Sequence, residues 1–348
     1  MNPIDLRSDT ITLPTEKMLE RMRHAKLGDD SRDGDPTVKM LESLAAARTG
    51  KAAACFMPSG TMTNLVAILA HTGRGGEVLL EAESHIARTE MGGVGNIASL
   101  FHRTLSGKRG AMDLDALKDA ISPGLTPIRL GTALICMETT HNAAGGAILS
   151  LDHMAALQAI AKTHGIPVHI DGARLFNAAI GLGVPADRIA AYGDSVTFCI
   201  SKGLSAPIGS VLCGSDDFIL RARAFRRMVG GNLRQAGVVA AAGVVALEDM
   251  VERLADDHRA AKRLAEGLHG IDPRLANPGD VETNIVNMDV SASRRSAADW
   301  TAALRPKSIV VTPARPWRLR LVTHRHIGTV EVERALDAFS DTWRTFVR

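Results

Sequence analysis

Aromatic side chains are scarce in this chain. They make up 3% of its 348 residues, and Tyr192 is the single tyrosine. So few rings exclude the stacking platforms that bind single-stranded nucleic acid. A surplus of one charge is also missing. Forty-one basic residues face 38 acidic ones, a net charge of +3, which gives no reason to expect a polyanionic partner. Cysteine is sparse: the four residues Cys55, Cys136, Cys199 and Cys213 lie far apart and form no C-x-x-C pair. A zinc ribbon and a dithiol redox motif are therefore excluded. Each cysteine sits in an apolar run and reads as a buried residue of a reduced, cytoplasmic protein. Long hydrophobic runs are absent too. The longest, Ala236 to Leu247, has 12 residues, where a bilayer span needs about 20. The opening MNPIDLRSDT has no apolar h-region and does not read as a signal peptide.

What is present is the composition of a folded chain, 45% hydrophobic and 23% charged, with room for about two domains. Short β-rich runs alternate with helical patterns. AACFMP (53–58) reads as a strand ending at Pro58, and TMTNLVAILAHT (61–72) has apolar residues at helical spacing. EVLLEA (77–82), ALICME (133–138), IPVHID (166–171) and SVTFCIS (195–201) read as buried strands. SLDHMAALQAIAKTHG (150–165) reads as an amphipathic helix, with Ser150 or Asp152 as N-cap and Gly165 just past its end. Continuous apolar strands separated by helices predict a mainly parallel sheet covered on both faces. GSVLCG (209–214) follows the previous strand too closely for a parallel crossover and is expected to be antiparallel. Beyond Gly230-Gly231 a helical stretch is predicted from about Gln235 to Leu268. It is followed by IVNMDV (285–290), a helix around 297–304, SIVVTP (308–313), LRLVTH (319–324) and a closing helix over 330–346.

The chemistry falls at strand ends. Asp171 closes one buried strand, Arg174 follows three residues on, and Lys202 closes another. In open α/β sheets ligands bind outside the carboxyl ends of the strands. A lysine there serves either an ion pair or a Schiff base. Paired with Asp171 it fits pyridoxal phosphate, which needs a lysine for its aldehyde and an anion at its pyridine nitrogen. PSGTMTN (58–64) supplies a phosphate cradle at a helix start, with Gly60 and Thr61 in it. No Walker A and no G-x-G-x-x-G fingerprint is present. His324 and His326 form an H-x-H pair without a third ligand, so no metal is read. Arg320, inside an apolar strand, demands an anion. Arg103, Arg223, Arg226 and Arg227 read as a solvated or interface face.

DLRSDT (5–10), GDD (28–30), DPTV (35–38), PSGTMTN, HIARTEMGG (85–93), METTHN (137–142), HIDGARLFNA (169–178), VTFCISKGL (196–204), GGNLRQAG (230–237) and LRLVTH resemble the L-threonine aldolases over residues 4–325. That resemblance implies pyridoxal-phosphate fold type I. A large domain over 1–250 would carry a mainly parallel mixed sheet and an N-terminal arm reaching the site, and a smaller α+β domain would cover 251–348. It implies that Lys202 carries the cofactor, Asp171 keeps the pyridine nitrogen protonated, Gly60 and Thr61 bind the phosphate, and Arg234 reaches the phosphate of a neighbouring subunit. It further implies that His85 stacks on the ring and moves protons, with Ser8, Arg174 and Arg320 on the substrate carboxylate and Glu90 near the cofactor. His141 and Asn142 read as structural. The implied reaction is retro-aldol cleavage of a β-hydroxy-α-amino acid to glycine and an aldehyde, in a homodimer or homotetramer with shared sites. β-Elimination, dehydration or racemisation would use the same cofactor; a catalytically idle binding homologue and a nicotinamide oxidoreductase are weaker readings. Two positions depart from the family pattern. Arg32 stands where tyrosine is usual, and Ile128 stands where a histidine meets the substrate hydroxyl. Arg32, with Arg88, points to an anionic or bulkier β-substituent; alternatively Arg32 pairs on its own loop.

Overall fold

The computed structural model describes residues 3–347. Seven strands form the central sheet: β1 (Ala53–Met57), β2 (Glu77–Glu81), β3 (Phe101–Leu105), β4 (Thr132–Glu138), β5 (Val168–Asp171), β6 (Ser195–Cys199) and β7 (Ser210–Gly214). Their order across the sheet is β1-β7-β6-β5-β4-β2-β3. Only β7 runs against its neighbours β1 and β6; the other pairings are parallel. The short link from β6 to β7 dictates this, because a parallel return needs a crossover. β5, β6 and β7 are buried along their whole length, which their uninterrupted apolar runs already require.

Strand ends are set by local chemistry. Pro58 follows β1 and cannot donate to a ladder. Ser59 then caps the helix α2 (Gly60–His71), after α1 (Pro36–Thr49), by accepting from the Met62 N–H at 3.2 Å. Ser150 caps α3 (Leu151–Thr163), and Gly165 beyond its end has φ +64°, the left-handed conformation that favours glycine.

The predicted helix over 235–268 is two helices, α5 (Gly237–Asp249) and α6 (Leu254–Ile271), following α4 (Asp216–Met228). The break has a packing cause. α5 is apolar all round and lies within the core of the large sheet, whereas Ala261, Leu264, Ala265 and Leu268 of α6 join a second core. That second core gathers Ile4 and Leu6 with residues of β8 (Ile285–Asp289) and β10 (Arg318–Val322), of an antiparallel sheet completed by the exposed strand β9 (Thr312–Arg315), and of α7 (Thr329–Val347). The expected strand over 308–313 is split because its halves take different partners. Ile309–Val310 pairs in parallel with Ile4–Asp5, and β9 pairs antiparallel with β10. β3 was not anticipated: its FHRTL is an edge strand with mostly exposed side chains, so it lacks an apolar run. Arg223 and Arg226 do not form a solvated face. Arg226 is 3% exposed, donating to the Phe56 carbonyl at 2.9 Å and meeting Asp30 at 2.8 Å, while Arg223 bonds the Glu42 carboxylate at 2.6 Å. Among the described residues no helix is long and apolar enough to cross a membrane.

Candidate active site

The carboxyl ends of β4, β5 and β6 open into a cleft of about 200 Å³, lined by Glu138, Asp171, Arg174, Lys202, His85 and Arg320 among others. The register explains the convergence. Glu138 sits beside Asp171 across β4 and β5, and Asp171 beside Thr197 across β5 and β6, so Lys202 lies just beyond the next strand tip. Lys202 is half-buried and has no ion-pair partner among the described residues. Its carbonyl accepts from the Thr12 hydroxyl at 2.7 Å, which anchors the turn.

Asp171 is 2% exposed. It accepts from the Asn64 amide at 2.8 Å and from the Ala173 N–H at 3.1 Å. Asn64 is fully engaged. Its NH₂ group also donates to Glu90 at 2.7 Å, and its oxygen accepts from His169 at 3.1 Å. His169 in turn meets Ser195 at 2.8 Å, and Ser195 meets His71 at 2.7 Å. Because the amide hydrogens face two carboxylates, its oxygen must face His169, and the chain of donors runs one way from His71 to Asp171. Burial keeps His169 neutral, with its pKa pulled down to about 4.

His85 Nδ1 meets Glu90 at 2.8 Å, and the His85 backbone N–H donates to Glu138 at 2.6 Å. The Glu90 hydrogen bond raises the His85 pKa, against burial, which would lower it. Burial raises Glu90 and Glu138, with the nearby Asp171 charge adding to both.

Arg174 does not pair with Asp171. Its guanidinium takes Asp9 at 2.7 and 2.8 Å, and Asn284 adds a bond to Asp9 at 3.2 Å. Burial alone would raise the Asp9 pKa, but the Arg174 charge outweighs it and holds the carboxyl well below the usual range. Arg320 is different. It donates to the Asn142 side-chain oxygen at 2.8 Å and meets no carboxylate among the described residues. Burial, and then the neighbouring Arg174 charge, lowers its pKa. A half-buried guanidinium with no anion is a ready receptor for a carboxylate.

Gly60 and Thr61 open α2, whose first N–H groups have no partner within the helix. A Cβ on Gly60 would meet the Cys199 sulfur at 2.8 Å. The helix start is therefore drawn close against the end of the strand that leads to Lys202. An amine without an ion-pair partner and a deep carboxylate in one cleft, with the start of α2 held against the strand that leads to Lys202, fit pyridoxal phosphate. Ser8 lines the cleft and accepts from the Thr10 N–H at 3.2 Å. Two expected residues lie elsewhere in their own chain. Arg32 is exposed and sits 3.7 Å from Asp29, and Arg234 is exposed beside Asp29 and Ser31. Ile128 is 92% exposed on the loop before β4 and does not line the cleft.

Sequence reasoning missed Asp9, Asn64 and the part played by Asn142. Asp9 and Asn64 stand inside the recognised stretches DLRSDT and PSGTMTN, but their partners are far along the chain and no local pattern marks them. Asn142 was read as structural, yet its oxygen touches Arg320, with Arg174 at 3.5 Å. His141 does fit the structural reading: it is buried and bonds Glu81 at 2.9 Å.

The one antiparallel strand in a parallel sheet, with lysine and aspartate at adjacent strand tips, defines an α/β pyridoxal-phosphate protein of fold type I. The β-eliminating lyase family model matches residues 5–291. The chain is 43% identical to a probable low-specificity L-threonine aldolase 2 of Arabidopsis thaliana, over 97% of this chain and 96% of that one. It superposes on a threonine aldolase of Leishmania major with a TM-score of 0.84 at 19% identity, covering 99% of this chain and all of the other (100%). It also superposes on a solved SPT carrying PLP as an internal aldimine, with a TM-score of 0.77 at 18% identity over 99% and 89%. The chain belongs to the threonine aldolases of the β-eliminating lyase family.

Proposed function

We propose that this chain cleaves the Cα–Cβ bond of a threonine-like β-hydroxy-α-amino acid, releasing glycine and an aldehyde. The observation that carries the reading is Lys202, an amine without a counter-ion among the described residues, sharing one cleft with the buried Asp171 carboxylate. Pyridoxal phosphate, when bound, takes the substrate amine and accepts the electron pair left on Cα when a bond to it breaks. Lys202 would hold the cofactor, Asp171 would keep the pyridine nitrogen protonated, and Gly60 and Thr61 would receive the phosphate. Arg320 would take the substrate carboxylate, with Ser8 and the free edge of Arg174 beside it. Asp9 holds Arg174 still, so the clamp meets the substrate already oriented. With His85 Nδ1 bound to Glu90, Nε2 is the nitrogen left to accept the β-hydroxyl proton.

Product identification tests the reading. Glycine and acetaldehyde from L-threonine are expected. A keto acid with ammonia would instead support elimination, which the name of the matching family favours as the second reading. The inverted amino acid would mark racemisation. A purified protein with no cofactor absorbance would be the mark of an idle homologue.

The two hydrophobic cores support a division near residue 250, with Ile4–Asp5 crossing to the smaller unit. Arg234 points away from its own cleft, and exposed Leu27, Met40, Met91 and Met228 are apolar surface suited to a second copy. Both support a homodimer, or a doubled dimer, with shared sites. Four buried, unpaired cysteines suit a reducing compartment such as the cytoplasm.

A further inference from the structure

The cleft continues outward into a second cavity of about 280 Å³. His85, Thr89, Asn142 and Arg320 line both spaces, so whatever extends from a substrate past His85 enters the outer one. Its charge is one-sided. Arg88, Arg315, Arg318 and Arg320 line it, against Glu83 as the single carboxylate among the described lining residues. Glu83 is shared: Arg88 holds one of its oxygens at 3.1 Å and Arg315 holds the other. Arg318 and Arg320 have no carboxylate partner among the described residues. With Arg320 engaged by the substrate α-carboxylate, Arg88, Arg315 and Arg318 against Glu83 leave a local excess of two positive charges. The remaining walls are amides, Asn142 and Asn287, with small groups such as Ala143 and Ala314. A bulky apolar substituent would find only Pro313 and small side chains to pack against, whereas an anion would find the guanidiniums of Arg88, Arg315 and Arg318.

We infer that this vestibule recognises an acidic group on the β-substituent, so that the preferred substrate class is a β-hydroxy-α-amino acid bearing a second carboxylate. The inference rests on the retro-aldol reading and adds the side-chain class to it. Arg32, which the sequence offered for this task, lies outside the cavity; the task falls to Arg315 and Arg318, from the end of β9 and the start of β10. For 3-hydroxyaspartate the step balances without an oxidant. The Cα–Cβ bond breaks, the β-hydroxyl proton leaves to the base, Cα gains a proton, and glycine and glyoxylate result.

The test compares glycine release by the holoenzyme from 3-hydroxyaspartate, its uncharged amide 3-hydroxyasparagine, and L-threonine. The acid and the amide have nearly the same shape, so their kcat/KM ratio reads charge alone and is independent of how much of a variant is folded. The wild-type ratio is expected to favour the acid by about tenfold or more, and to fall with added salt. Arg318→Gln should move that ratio towards one, and Glu83→Gln, which removes the single opposing charge, should raise it. An acid no better than its amide, or a ratio unmoved by Arg318→Gln, overturns the inference while leaving the aldolase reading intact. Glycine from none of the three overturns the aldolase reading and the inference with it.

Discussion

Glu90 shows how one side chain sets the working range of another. Its carboxylate bonds His85 Nδ1 and raises the imidazole pKa. If His85 Nε2 accepts the substrate proton, the ring must be neutral. Activity is then lost as pH falls through that raised value. Glu90→Gln keeps a hydrogen-bonding group but removes the charge. The acid limb of kcat/KM is expected to move to lower pH. An acid limb that stays in place, with only its height changed, would show that His85 is not the titrating base.

The element scale is where β5, β6 and α2 are tied together under the cleft. Asn64 of α2 reaches Asp171 and His169 of β5, and His169 reaches Ser195 of β6. The chain needs a neutral His169. Burial lowers its pKa to about 4, whereas in the unfolded chain an imidazole titrates near 6.5. Between those values the unfolded state binds the extra proton. The contribution is therefore complete above about pH 6.5 and is lost as pH falls towards 4, a difference on the order of 3 kcal/mol. His169→Asn should remove that part of the pH dependence. Urea denaturation at pH 7 and pH 5 checks this: the wild type should lose more stability across the interval than the variant does. Equal losses would mean that His169 does not carry the effect.

At the scale of the whole molecule the question is which chain completes which site. Arg234 is exposed and held by Asp29 and Ser31, away from its own cleft. If it serves the neighbouring subunit, then Lys202→Ala and Arg234→Ala chains, each poorly active alone, rebuild one intact site in a mixed dimer. Refolding the two together should restore about a quarter of wild-type activity, by random pairing in a two-fold assembly. No recovery in a mixture shown to contain hybrid dimers would place Arg234 outside the site.

The alternation of apolar runs with helical spacing was enough to predict the parallel sheet, its antiparallel seventh strand, and lysine and aspartate at neighbouring strand tips. Those features follow from periods of two and 3.6 and from the length of connections, all of which are local along the chain. The break between α5 and α6, the split of 308–313 and the edge strand β3 were not legible, because each depends on which distant segment packs alongside. The site divides in the same way. Lys202, Asp171 and the helix start at Gly60 stand where the strand pattern puts them, whereas His85 was marked only by the family resemblance. The Asp9–Arg174 pair, the Asn64 chain and the positive vestibule join residues far apart in the sequence. A charge's partner is decided by distance in space, and only the folded chain brings Asp9 to Arg174 and leaves Arg320 without an anion among the described residues.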